Sequence, residues 1–258
     1  MKLSIITVNL NNYTGLQRTL KSVAGQFYKD FEHIIIDGGS TDGSKEYLEA
    51  NTDLFTNYIS ELDVGIYDAM NKGAALAKAD YLYFLNSGDD LEGKTALKNI
   101  VAYLNGEDLI YFDINVIDGV LTNIKKAPAK LSFRYIYDDL PAHQATFVKR
   151  SLFERLNGYD ASLKIVADWK FFALAVLKYD ASHKYVPTTF SNFYTGGISS
   201  IEKNRKALEN ERKLILEKEF PILLEDIRHQ FKLQRILRNL RKSKKIQWLQ
   251  RLGLLDKF

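Results

Sequence analysis

Two adjacent carboxylates, Asp89 and Asp90, follow directly on Asn86-Ser87-Gly88. Before them runs Asp80-Tyr81-Leu82-Tyr83-Phe84-Leu85, apolar, aromatic and of strand length. Such a run reads as a strand buried on both faces, and Asn-Ser-Gly ends it with a turn composition. Carboxylates at that place lie where open α/β sheets bind ligands, at the carboxyl ends of the strands. Oxygen-only ligands there suit Mg2+ or Mn2+, shared with substrate phosphates. Taken alone, the octapeptide Phe84–Leu91 is equally a polar turn that carries two aspartates.

Further carboxylates recur at predicted strand ends. Asp37 closes the run Phe31–Ile36. There it can accept a hydrogen bond from a base N–H or a ribose hydroxyl, or simply open a Gly-rich turn. Glu61 and Asp63 follow a short run, Tyr58-Ile59-Ser60. Three acidic strand ends in one crevice repel one another unless a cation or donors are bound, which points to a metal–nucleotide site. No Gly-x-x-x-x-Gly-Lys-Ser/Thr loop is present, and the first turn, Asn9-Leu10-Asn11-Asn12, lacks the glycines of a dinucleotide fingerprint.

The elements that must position these groups alternate. Strands are expected over Leu3–Val8, Phe31–Ile36, Tyr58–Ser60 and Asp80–Leu85, with helices over 14–25, from an N-cap among Ser40 to Asp42 to about Ala50, and over Ile66–Ala77. Right-handed crossovers in such a pattern give a mostly parallel sheet. The order then changes. A helix is expected over Ala96–Leu104, and Leu109–Val116 and Val120–Lys125 flank an Asp118-Gly119 hairpin signal. A strand over Ala145–Val148, helices over Ser151–Leu156 and Trp169–Leu177, and extended chain over Lys184–Tyr194 follow. Asp168, just before one of these helices, reads as its N-cap or as a general base.

The stretches Ser4–Asn9, Ile36–Gly43, Asp63–Gly73, Phe84–Asp89, Ala142–Phe147, Gly158–Asp160, Ala167–Trp169 and Gly196–Ser199 together resemble the family 2 glycosyltransferases. The similarity covers roughly residues 3–200 and is nearest to bacterial members that build surface polysaccharides. It implies a GT-A-like (Rossmann-like) α/β fold with a mostly parallel sheet flanked by helices, and an inverting, metal-dependent transfer of a hexosyl unit. The donor would be a nucleotide-diphosphate sugar, UDP-linked by expectation, and the acceptor a saccharide or a lipid-linked sugar. Residue by residue, the resemblance puts Thr7, Asn9, Asp37, Asp63, Lys72, Asn86 and His143 around the donor. Asp89 matches the metal-binding carboxylate for Mg2+ or Mn2+, and Asp168 the catalytic base. Asn86 and Gly88 stand where the family usually has further carboxylates, which leaves Asp90 in doubt as a ligand. Trp169, Gly197 and Ser199 would serve the acceptor or a closing loop, with core packing the alternative for Trp169. The rivals are a non-catalytic nucleotide-sugar-binding member, motivated by Asn86 and Gly88, and a sugar nucleotidyltransferase, disfavoured by the first turn.

Composition bounds the rest. At 46% hydrophobic and 26% charged, 258 residues suit an ordinary globular chain. Without cysteine there are no disulfides, thiolate metal sites or thiol nucleophile. Met1-Lys2 leads straight into a strand, with no secretory leader expected, and no run of eighteen apolar residues occurs. The net charge of +4 is unevenly spread, because residues 228–258 alone carry +9. The expected division is a catalytic domain over 1–200 and a basic helical extension over 201–258. Cations beside Trp248, Leu249 and Leu252 suit an anionic membrane surface, so the expectation is a cytoplasmic protein peripheral to the inner face of the plasma membrane. No nucleic-acid-reading module is recognisable.

Overall fold

The computed structural model describes residues 1–197 and 202–256, so Ser199 lies outside the described residues. Two compact units form, Met1–Arg212 and Lys213–Phe258.

In the first unit, β1 (Leu3–Asn9), α1 (Tyr13–Ala24), β2 (Phe31–Asp37), α2 (Ser44–Ala50), β3 (Asn57–Ser60), α3 (Ile66–Leu76) and β4 (Tyr81–Phe84) follow the expected alternation. β3, β2, β1 and β4 pair in that order and all in parallel. Apolar residues on both faces make β1 wholly buried, as a sheet covered by crossover helices requires. The register sets Asn9 beside Asp37 and Asp37 beside Ser60, so three polar side chains meet at one end of the parallel strands.

The second half of the sheet is mixed. β5 (Asp90–Leu91) is followed by α4 (Ala96–Ile100), the long hairpin β6 (Leu109–Asp118) and β7 (Leu121–Lys125), α5 (Phe133–Asp138), β8 (Thr146–Lys149), α6 (Arg150–Arg155), α7 (Ala167–Leu177) and β9 (His183–Tyr194). The sheet continues β4-β8-β6-β9-β5. β8 runs antiparallel to β4, which carries the chain entering β8 to the end where β4 leaves the sheet. The aromatic rings of Tyr83, Phe112, Phe147 and Phe190 stack around this junction and fill the core.

Helix α8 (Arg205–Glu219) begins in the first unit. The second unit holds its later residues, α9 (Pro221–Lys242) and α10 (Lys244–Arg251). Pro221 at the first position of α9 costs nothing, because that amide has no helical partner. Leu233, Ile236, Leu237, Leu240 and Trp248 are exposed on these helices, as is Leu252 just after α10. Among the described residues no helix is long and apolar enough to cross a membrane.

Candidate active site

A cavity of about 750 Å3 opens at the carboxyl ends of the parallel strands, well within the size range of small-molecule sites. Asn9, Asp63, Asn86, Asp89, His143, Asp168 and Gly197 all line it, which brings together residues from six separate stretches of chain.

The Asp89 wall is built by the turn after β4. Gly88 adopts φ +107°, a conformation that disfavours any side chain, so a carboxylate at this position would be strained. Helix α1 holds the turn from behind. Arg18 Nη1 donates to the Gly88 carbonyl at 2.9 Å, and the Thr19 hydroxyl lies 2.6 Å from the Asp89 carbonyl oxygen. Arg18 also lies 4.0 Å above the Tyr194 ring. Asp89 is 6% exposed, and its Oδ1 accepts from the Tyr194 N–H at 3.1 Å. Burial pushes its carboxyl up to about 6; the Tyr194 N–H, His143 and Gln144 only partly offset this. Asp90 is committed elsewhere, accepting from Asn192 Nδ2 at 2.6 Å and from the Tyr194 hydroxyl at 3.2 Å. In this structure Asp90 is a tie between β5 and β9.

The opposite wall carries Asp168. It lies in the first turn of α7, which starts at Ala167, so the helix-capping position falls to Val166. Its side chain is 17% exposed; Oδ2 lies 3.3 Å from His143 Nδ1, and Oδ1 lies 3.0 Å from the Tyr67 hydroxyl. Burial pushes the carboxyl up, but the His143 contact, the Trp169 N–H and the Tyr67 hydroxyl outweigh it and hold Asp168 below the ordinary range. Asp168 is thus poised as an ionised carboxylate.

His143 joins the two walls. It sits in the short turn before β8, at the β4 end of the sheet, and its Nε2 is 3.4 Å from Asn86 Nδ2. With Nδ1–H donating to Asp168, Nε2 is left as the acceptor for the Asn86 amide. That orientation directs Asn86 Oδ1 elsewhere, and this buried oxygen has no partner within the protein. A buried acceptor left unpaired is costly, and a hard cation or a ligand hydroxyl would satisfy it. Asn86 Oδ1 and the Asp89 carboxylate are both hard oxygen donors on this wall, the type that Mg2+ or Mn2+ takes. Among the described residues no group of three or more His, Asp or Glu converges to hold a metal. The remaining ligands would come from the substrate and water.

Other expected residues are placed differently. Asp37 is fully buried and does not line the cavity. It accepts from Asn9 Nδ2 at 2.8 Å, the Ser40 hydroxyl at 2.6 Å, the Ser40 N–H at 3.0 Å and the Ser60 hydroxyl at 2.8 Å. Those four donors, two from Ser40 in the turn after β2 and two brought in by the strand register, offset its burial and keep its carboxyl below the usual range. Thr7 is likewise buried, with its hydroxyl 2.9 Å from His33 Nε2. Lys72 pairs with Glu61 at 2.9 Å and Asp68 at 3.3 Å, away from the cavity wall. Trp169 is 1% exposed and donates from Nε1 to the Ile136 carbonyl at 2.7 Å, which corrects the expectation that its indole faces an acceptor sugar. Asp63 does face the cavity, and it passes so close to Gly38 that a Cβ there would meet Asp63 Oδ2 at 2.5 Å.

Sequence reasoning missed Tyr67, Arg18 and Lys164, all of which line the cavity. Tyr67 stands inside the stretch Asp63–Gly73 that carried the resemblance, but its partners Ile165 and Asp168 lie about a hundred residues downstream. Nothing local marks Arg18 or Lys164.

Known proteins share this arrangement of chain. A glycosyltransferase of Mycobacterium tuberculosis with no assigned role is 38% identical over 181 residues, covering 67% of this chain and 68% of its own. A PGL/p-HBAD biosynthesis glycosyltransferase of Mycobacterium bovis is 33% identical over 178 residues, 65% of this chain and 67% of its own. Among solved structures, S. aureus TarS in complex with UDP superposes with a TM-score of 0.63 at 21% identity, over 76% of this chain. A mannosyltransferase of Pyrobaculum calidifontis in complex with GDP-Man and Mn2+ gives 0.58 at 15% identity, over 82% of this chain. This chain spans 61% and 60% of those two structures, and at such identities the likeness is one of fold. The pattern of the family described as glycosyl transferase family 2 matches residues 4–156, which include β1 to β4 and both Asp89 and His143. With that match over more than half its length, the chain belongs to glycosyl transferase family 2 and has its GT-A fold.

Proposed function

We propose that this glycosyltransferase moves a hexosyl unit, with inversion, from a UDP-sugar to a saccharide or lipid-linked acceptor in cell-surface polysaccharide synthesis. One observation carries the proposal: Asp89 and Asp168 face the same cavity, and His143 touches Asp168 while also contacting Asn86 on the Asp89 wall. Asp63 and Asn9 would meet the nucleoside, with Asp37 acting through the Asn9 amide it holds. The acceptor hydroxyl attacks the anomeric carbon as the bond to the diphosphate oxygen breaks, and Asp168 takes the hydroxyl proton. Attack opposite the leaving group inverts the centre. His143 and Tyr67 fix the direction in which the Asp168 lone pairs point. Mg2+ or Mn2+ held by Asp89 and Asn86 would supply positive charge against the leaving diphosphate.

The TarS complex with UDP supports a nucleotide donor, and the Mn2+ complex of the mannosyltransferase supports a divalent ion. Exposed apolar residues among the cations of 228–258 support docking of the second unit on anionic lipid at the cytoplasmic face. The proposed division has a catalytic region over 1–200 and an extension over 201–258, of which the part up to Arg212 belongs to the first compact unit and the docking role falls to the second. The test is a turnover screen with UDP-sugars and Mn2+, with the product's anomeric configuration read by NMR. An inverted product supports the reading, and hydrolysis or transfer with no divalent requirement overturns its mechanism.

A further inference from the structure

Asp168 is flanked by two points that α8 holds. Immediately before α7, three consecutive backbone amides converge on one carboxylate. Glu211 Oε1 accepts from the Lys164 N–H at 2.9 Å, and Oε2 accepts from the Ile165 and Val166 N–H groups at 3.1 and 3.2 Å. Val166 caps α7 without any side-chain bond of its own. Glu211 therefore satisfies the amide of the capping residue and those of the two residues before it, and sets negative charge at the positive end of the helix dipole. Just after Asp168, the Arg212 guanidinium lies 5.2 Å from the Trp169 ring centre, and its Nη1 donates to the Asp138 carbonyl at 2.9 Å. Neighbouring residues of one helix thus grip the chain on both sides of the carboxylate. Both precede Lys213, inside the first unit, and both lie well beyond residues 4–156, where the family pattern ends.

We propose that Glu211, supported by Arg212, is a positioning residue for Asp168, so that catalysis depends on a segment outside the family pattern. Glu211 touches neither cavity nor substrate; it sets where α7 begins. The Ile165 carbonyl, on the clamped stretch, lies 2.6 Å from the same Tyr67 hydroxyl that reaches Asp168. Releasing 164–166 therefore changes how the one Tyr67 hydroxyl proton is shared between the Ile165 carbonyl and Asp168, and shifts the start of the helix that carries the carboxylate. This inference rests on the transferase reading above.

The experiment uses the full chain with Glu211→Gln, Glu211→Ala and Glu211→Asp. Amide hydrogen exchange over 164–166 reads the clamp itself and needs no activity. Faster exchange is expected in the Gln and Ala variants, with protection largely kept in Glu211→Asp. In the transfer assay kcat should fall about tenfold to a hundredfold, as expected when a catalytic group is misplaced by about an ångström. The donor KM should stay within about twofold, and Glu211→Asp should recover part of the loss. Unchanged exchange overturns the clamp. Faster exchange with unchanged kcat overturns the positioning role, as does a loss shared equally between kcat, donor affinity and thermal stability. A wild-type chain that transfers no sugar overturns the transferase reading and the positioning role with it, while the exchange data still decide whether the clamp exists.

Discussion

Replacing Asp89 by asparagine should make the protein more stable while disabling its donor site. Asp89 is 6% exposed, and its carboxyl is raised to about 6 from 3.8, with burial the largest cause. Between those two values the folded protein binds more protons than the unfolded chain, so stability falls as pH rises. Above pH 6 the full penalty is present; below 3.8 it has gone. A rise of about two units at 1.36 kcal/mol each sets an upper value of about 3 kcal/mol at pH 7.5. Asparagine carries no charge and keeps an oxygen for the Tyr194 N–H that Oδ1 now accepts at 3.1 Å. We expect Asp89→Asn to gain about 1–3 kcal/mol at pH 7.5, equivalent to roughly 2–4 °C in Tm per kcal/mol for a domain of this size. The assay is calorimetric unfolding in chelator, so that no cation stabilises the wild type, at pH 7.5, 6 and 5. The gain should shrink as pH falls through 6. A variant less stable than wild type at pH 7.5, or a gain as large at pH 5 as at 7.5, would refute the claim that Asp89 is held as a costly buried charge.

Three other outcomes are expected. Asp168→Asn should lower turnover by about 10²–10⁴-fold and leave donor affinity within about twofold, measured by steady-state kinetics and calorimetry, because the base acts only as the proton moves. Gly38→Ala should weaken donor binding at least several-fold with little change in Tm, because its Cβ would press Asp63 Oδ2 at 2.5 Å out of place. Metal-dependent donor binding should weaken as pH falls through about 6, where Asp89 takes up a proton. Asp168, held below the ordinary range, should titrate only at lower pH.

The parallel half of the fold was legible because each strand is an apolar run closed by turn residues. Asp118-Gly119 announced the hairpin of β6 and β7 for the same reason. β5 was not legible, because two residues, Asp90 and Leu91, carry no period, and only their pairing with Asn192 and Ser191 makes them a strand. α5 escaped too, although Ser132 caps it by accepting from the Tyr135 N–H at 3.1 Å. At the site, residue types were readable and partners were not. Asp37 was seen as a strand-end carboxylate, but its saturation needs Asn9 and Ser60, brought in by register between strands, besides Ser40 of its own turn. Trp169 and Asp168 are neighbours on a helix and so point in different directions, one into the core and one into the cavity. Gly88 read as a lost carboxylate, while the structure gives a backbone reason for it, φ +107°.

The central claim is that the cavity between Asp89 and Asp168 is a metal-assisted nucleotide-sugar site. Calorimetric titration of the full chain with UDP, with and without Mn2+, alongside Asp89→Ala, tests it most directly. The account predicts binding that strengthens with Mn2+ in the wild type and a variant in which that gain is lost. Binding of UDP unaffected by both the ion and the substitution would contradict it.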